Sequence, residues 1–220
     1  MIGWLIAAVD EVPVDDSWLV AEERQTLGAL RIPKRRADWR LGRWAAKCAV
    51  GAALGLVPRQ IEIRAAEDGA PEALSGGTRL PVGLSISHCS GRAAGVVATP
   101  SQPIGCDLEV VETRGPAFTD EWFTATERAL VTSAAAEERD LLVTVIWSAK
   151  ESALKAVRTG LRRSTHSVVV WVPESAPGDW SRLRVRDRET GSDLHAWWRR
   201  HADLVLSVAG PSSALPEPLR

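Results

Sequence analysis

Apolar and polar positions along the chain fall into short segments with two different periods. Ile2 to Val9 is an apolar run of strand length. Asp15 and Asp16 stand ahead of WLVAEERQTLGAL and predict a capped helix there. Pro33 opens a second helical pattern, KRRADWRLGRWAAKCAVGAAL, which ends near Gly55. Ile61 to Arg64 alternates as a strand does, whereas EDGAPEALSGGTRLP is rich in Gly and Pro and predicts a loop. Three strands follow, LSISH (84–88), AAGVVAT (93–99) and IGCDLEVV (104–111), the first two joined by a tight hairpin at SGR. Helical spacing returns from Asp120 to Ala135 and from Glu137 to Val157. HSVVVWV, SRLRVRD, LHAWWRR and ADLVLSVA predict four more strands, and the tail PSSALPEPLR a loose end.

Strands that pair as hairpins, with helices grouped apart, indicate an α+β fold. Each half of the chain places helices before a set of antiparallel strands. The pattern therefore predicts two similar lobes, 1–103 and 104–220, each an antiparallel sheet packed with helices. No period of about 20 to 50 residues recurs, which excludes a solenoid. A cleft between two such lobes is a natural ligand site.

Candidate chemistry sits on two of these segments. In WSAKESALKA, a turn of about 100° per residue gathers Ala149, Ala153, Ala156 and Val157 on one face and Glu151, Lys155 and Arg158 on another. An acid and an amine four residues apart form at least a solvated pair worth a few tenths of a kcal/mol. IGCDLEVV changes that weighing. Ile104, Cys106, Leu108 and Val110 point one way, and Asp107 and Glu109 point together the other way. Neighbouring like charges repel unless they face solvent or share a cation. Mg²⁺ takes one or two carboxylates with waters and substrate phosphates. Glu151 would add a third acid from the helix, and Lys155, one turn on, would face a phosphate.

A phosphate ligand calls for further cations. Lys34, Arg35 and Arg36 open the second helix, and Arg40, Arg43 and Lys47 follow at steps of three to four residues. A solvated basic face is the plain alternative, although a helix N-terminus itself favours anions. Ser87 and His88 end a strand, where His88 could donate to a phosphate oxygen.

Bulk properties narrow the class. The chain has 220 residues and a net charge of -1, without the overall basic balance of a nucleic-acid binder. No apolar run approaches the ~18 residues of a membrane span, and the N-terminus lacks the basic region of a signal peptide. Three cysteines without C-x-x-C spacing read as reduced thiols. The expectation is a cytoplasmic protein that binds neither membrane nor nucleic acid.

SISHCSGRAAGVVA, QPIGCDLEVV, WFTATE and WSAKESALKA, in that order and with RRADWRLGRWAA and EDGAP upstream, together resemble the Sfp-type 4′-phosphopantetheinyl transferases. The likeness covers most of residues 31–160 and is weak in the last 60. It implies a pseudo-twofold, two-lobed α+β monomer that binds coenzyme A and Mg²⁺ in the cleft between its lobes. It also implies transfer of the phosphopantetheine arm to a serine of an apo acyl or peptidyl carrier protein of secondary metabolism, with release of adenosine 3′,5′-bisphosphate. On the matching positions, Asp107, Glu109 and Glu151 fall on metal-binding acids, and Lys155 on the lysine that contacts the pyrophosphate. Ser87 and His88 fall on a phosphate-contacting pair, and Arg43 and Gly69 on coenzyme-binding positions, with Lys34 and Arg36 in the same basic row. The serine proton would pass to Glu151, directly or through a water, or to a water on the metal. The chain departs from the family at Ala70, where many relatives have Lys and where Arg79 is a candidate substitute, and at Cys89, often Ser. Two other readings share the same residues: a Mg²⁺-dependent phosphodiesterase or nuclease, and a non-catalytic module that binds carrier proteins.

Overall fold

The computed structural model describes residues 1–173 and 179–219. In chain order the elements are β1 (Ile2–Ala8), α1 (Ala21–Ala29), α2 (Pro33–Leu54), β2 (Glu62–Ala65), β3 (Pro71–Ser75), β4 (Thr78–Arg79), β5 (Gly83–Cys89), β6 (Arg92–Ala98) and β7 (Gly105–Val110). There follow α3 (Pro116–Trp122), α4 (Ala125–Ser133), α5 (Arg139–Ala156), β8 (Val168–Trp171), β9 (Ser181–Asp187), β10 (Asp193–His201), β11 (Leu204–Gly210) and β12 (Pro216–Pro218). The fold is α+β. Its contacts form two compact units, Met1–Ile104 with Pro216–Arg220, and Gly105–Leu215.

The first unit is built on a four-stranded sheet in the order β12-β1-β6-β5. α2 runs from Pro33 at its first turn to Gly55, whose left-handed φ of 72° lets its N–H close on Gly51 O at 2.8 Å. Ala46, Ala49 and Val50 of this helix pack with Val97 of β6 and Leu84 of β5 in one apolar cluster. The hairpin between β5 and β6 turns on Ser90 and Gly91, with φ of 47° and 72°, the two positive values that suit the strand twist.

Three expectations fail here. α1 begins only at Ala21, and its N-terminus is closed by Glu23, which accepts the Val20 N–H at 3.1 Å, not by Asp15 or Asp16. The expected loop after β2 contains β3 and β4, paired around Gly76 and Gly77 and joined to β2 as a three-stranded sheet. Gly76 and Gly77 form the turn and Pro71 starts β3, positions where they are tolerated. The tail is not loose: Pro216–Pro218 pairs in parallel with Ile2–Trp4, and Leu219 N donates to Trp4 O at 2.8 Å. That pairing puts 216–219 with the first unit instead of the second; Arg220 lies outside the described residues.

The second unit is a five-stranded antiparallel sheet in the order β7-β11-β10-β9-β8, with α5 against it. α5 differs from the one-sided helix expected. From Val143 to Ala156 every residue is buried except Glu151 and Lys155. A helix enclosed this way must satisfy its polar side chains internally. Ser148 Oγ and Ser152 Oγ both reach Ser207 Oγ of β11, at 2.7 and 2.5 Å, and Ser148 donates to Asp107 O at 3.3 Å.

Each unit also holds a fully buried lysine by the same device. In the second, Lys150 Nζ pairs with Glu127 at 2.9 Å and donates to Thr165 O and Val168 O at 2.9 and 2.6 Å. Glu127 is the third residue of α4 and also accepts the N–H of Thr124 and of Val170, both at 2.8 Å. In the first, Lys47 pairs with Glu23, the third residue of α1, and donates to Trp18 O at 3.0 Å. Glu23 in turn accepts the Ile63 N–H at 2.9 Å. Burial depresses both ammonium groups, and the paired glutamate opposes it.

Removing one partner of such a pair strands the other, at about 3–5 kcal/mol. Glu127→Ala should lose that much in urea unfolding. The double variant Glu127→Leu with Lys150→Met should lose less than Glu127→Ala alone, since two apolar groups replace two ions.

Candidate active site

β7 and α5 come into direct contact at Gly105. A Cβ built there would lie 1.9 Å from Ser152 O, so only glycine lets the helix backbone rest on the strand. This contact brings the side chains of residues 107, 151 and 155 together. Lys155 Nζ donates to Asp107 Oδ1 at 2.8 Å and to Cys106 O at 3.1 Å, and lies 3.6 Å from Glu151 Oε2. Asp107 is buried, and Lys155 and Glu151 are partly so. Glu109 lies on the Asp107 face and takes one donor on each oxygen: Trp147 Nε1 at 3.0 Å on Oε1, and Arg114 Nη2 at 2.7 Å on Oε2.

The electrostatics follow from that crowding. Burial, then Asp107 and Glu109, push the Glu151 carboxyl up to about 7, with Lys155 opposing. Burial and Asp107 also raise Glu109, against Arg114 and Trp147. Burial works to depress the Lys155 ammonium, but Asp107, Cys106 and Glu151 outweigh it and the net direction is upward. Three carboxylates thus meet two cations, and the cluster retains an excess of negative charge.

Among the described residues no group of three or more His, Cys, Asp or Glu is arranged to hold a metal ion. The expected Asp107, Glu109 and Glu151 carboxylates are ion-paired, Asp107 and Glu151 with Lys155 and Glu109 with Arg114. In chemical kind the residues do fit Mg²⁺: all are hard oxygen donors, and the three acids outnumber the two cations paired with them.

The first unit carries a separate cavity of about 260 Å³. It is lined by Asp38, Trp39, Gly42 and Arg43 of α2, Ala65, Gly69 and Pro71 around the β2–β3 turn, and Ile86 and His88 of β5. Its size falls below the ~300 Å³ at which pockets enclose a whole drug-sized ligand, so it suits part of a larger one. Arg43 lies over the Trp39 ring at 4.8 Å, and its Nε is buried with no hydrogen-bond partner. Gly69 has φ of 84° in a turn closed by Gly69 N to Ala66 O at 2.8 Å, a conformation that favours glycine.

Three expected binding residues, Arg43, Gly69 and His88, therefore line one cavity, and three others do not. Lys34 is exposed and pairs with Asp38 at 2.7 Å. Arg36 donates to Leu27 O and to Leu30 O, the latter at 3.1 Å, and so closes the end of α1. Ser87 lies on the face of β5 opposite His88, as strand alternation requires. Arg79, the candidate for the lysine absent at Ala70, pairs with Glu72 at 3.2 Å and does not line the cavity. Sequence reasoning missed Arg114, an isolated cation in a non-periodic segment, and gave no role to Trp147. It also missed Glu127, although T-x-x-E at 124–127 is a recognisable capping signal.

Residues 103–209 match the family model described as the 4′-phosphopantetheinyl transferase superfamily. No curated protein matches the chain. Among solved structures, the holo-[acyl-carrier-protein] synthase of Helicobacter pylori in complex with coenzyme A is 22% identical over 44% of this chain and 98% of that one, with a TM-score of 0.31. The holo-[acyl-carrier-protein] synthase of Thermotoga maritima is 20% identical over 60% of this chain and 90% of that one, with a TM-score of 0.36. No helix among the described residues is long and apolar enough to cross a membrane.

If the β7–α5 contact sets this site, Gly105→Ala should destabilise the protein by about 1–3 kcal/mol or more through overpacking, read as a fall in the urea midpoint. Gly28→Ala is the control: a Cβ there meets nothing within 4 Å, so helix propensity should leave stability unchanged or raised.

Proposed function

We propose that this protein transfers the 4′-phosphopantetheine arm of coenzyme A to a serine hydroxyl of an apo acyl or peptidyl carrier protein, in the manner of the Sfp-type enzymes. The observation that carries this reading is the meeting of Asp107, Glu151 and Lys155 at the β7–α5 contact, within the stretch that matches the superfamily model. The serine oxygen forms a bond to phosphorus as the pyrophosphate bridge breaks, and adenosine 3′,5′-bisphosphate departs.

Asp107, Glu109 and Glu151 are the residues that would hold Mg²⁺, which when bound neutralises charge on the phosphate oxygens. Lys155 offers its ammonium to the charge that grows on the departing oxygen. Glu151 is the carboxylate that would accept the serine proton, directly or through a water, with a water on the metal as the alternative acceptor. In the first unit, the Trp39 ring, the unpaired Nε of Arg43 and His88 suit an aromatic base and a phosphate, which supports assigning that cavity to the nucleotide end of the coenzyme.

Mass spectrometry of apo carrier proteins incubated with the protein, coenzyme A and Mg²⁺ should show the added mass of one phosphopantetheine. Unchanged mass across several acyl and peptidyl carriers would reject the proposal. Coenzyme A cleaved without any acceptor would point to the phosphodiesterase instead. Arg43→Ala should raise KM for coenzyme A about tenfold, the worth of one charge-assisted contact, and raise it less for dephospho-coenzyme A. Equal effects on the two would remove Arg43 from the 3′-phosphate.

A further inference from the structure

Glu109 is held by a group with no part in the chemistry assigned above. The Trp147 indole N–H donates to Oε1 at 3.0 Å, from α5 to β7. The ring has little freedom to turn away. Trp147 is 7% exposed, and Phe118 and Trp122 stand edge-on to it at 5.1 and 5.5 Å. The Arg114 guanidinium lies over the Phe118 ring at 4.7 Å and 6.0 Å from the Trp147 centroid, while also pairing with Glu109. The direction of the indole N–H is thus fixed by packing. Glu109 by contrast is partly exposed and shares a strand face with Asp107, two residues away. A glutamate with free torsions would swing from that like charge towards solvent.

We propose that Trp147 is the positioning residue of Glu109: its indole N–H holds the carboxylate beside Asp107, so that the two acids stand as a ready pair before a cation arrives. The inference rests on the reading of these acids as the cation-holding set. Trp147 itself touches no reacting atom. Groups that orient a ligand from behind in this way change metal affinity by about 10- to 100-fold when removed.

The test uses Mn²⁺ alone as the probe, followed by the electron paramagnetic resonance of the free ion, with neither coenzyme nor carrier present. Trp147→Phe keeps an aromatic ring and removes the donor. It should raise the Kd for Mn²⁺ about tenfold. On a Glu109→Gln background the same substitution should change nothing further. Wild-type affinity in Trp147→Phe, an equal loss on both backgrounds, or no Mn²⁺ binding by the wild-type protein would each overturn the proposal. Should Trp147→Phe fail to fold, Glu109→Gln replaces it: one of the ten indole N–H resonances should then shift, and an unchanged set would overturn the proposal. Protein that shows this coupling yet modifies no carrier would reject the proposed function and leave the role of Trp147 standing.

Discussion

The arrangement of acids depends on one backbone contact, the seating of α5 directly on β7 at Gly105. With any side chain at that position, a Cβ would meet the helix at Ser152 O and the two elements would have to separate. The seat is then locked in register by hydroxyl groups. Ser148 and Ser152, four apart on the helix, converge on Ser207 of β11, the strand neighbour of Asp107. A one-residue slip would break both contacts, and buried hydroxyls left without partners cost about 1–3 kcal/mol each. Sequence spacing therefore becomes geometry: with the register set, the residues at 151 and 155 fall beside 107, and they are the two positions on this stretch of α5 that the core does not enclose.

Enclosing a helix so fully creates a problem at Lys150, and the answer is the same in each unit. A glutamate at the third position of a short helix closes that helix's own N-terminus, accepts a strand or loop N–H, and neutralises a buried lysine on the long helix. One carboxylate ties three segments together. Buried pairs of this kind often add little net stability compared with apolar packing. Their directional bonds do, however, define a single placement of α1 on α2, and of α4 on α5, in a way that Leu and Ala contacts alone leave degenerate.

Much of this was legible in the sequence where a local rule decides the outcome. Pro33 and Gly55 bound α2, SGR made a hairpin, and apolar runs and alternation located β1, β2 and β5 to β11. It failed where tertiary partners decide. Lys47 and Lys150 count as polar in any periodicity, yet both are wholly buried. The basic row of α2 looked uniform because spacing reports only the helix face. In the structure α1 takes Arg36, the carbonyls of Pro13 and Val14 take Arg40, Glu23 takes Lys47, and Arg43 alone of these four reaches the cavity. The tail gave no strand signal of its own, since PEP becomes a strand only by pairing with β1. The opposed faces of Ser87 and His88 were legible from alternation and were not drawn.

The two cations among the acids differ in a way that matches different tasks. Arg114 is a planar fork, 10% exposed, stacked on Phe118 and paired with both Glu109 and Glu112. Moving it would open an aromatic cluster and break two ion pairs. Lys155 is a point charge on a flexible four-carbon stem, 28% exposed, and its bonds to Asp107 and Cys106 O ask little of its geometry. In a cluster with three acids and two cations, Arg114 is the cation held by aromatic stacking as well as by acids. On the proposed reading, Asp107 and Glu151 are among the residues that would hold a divalent ion, and Lys155 would offer its ammonium to the phosphate. Lys155 pairs with both Asp107 and Glu151 and so holds the two acids together against their mutual repulsion.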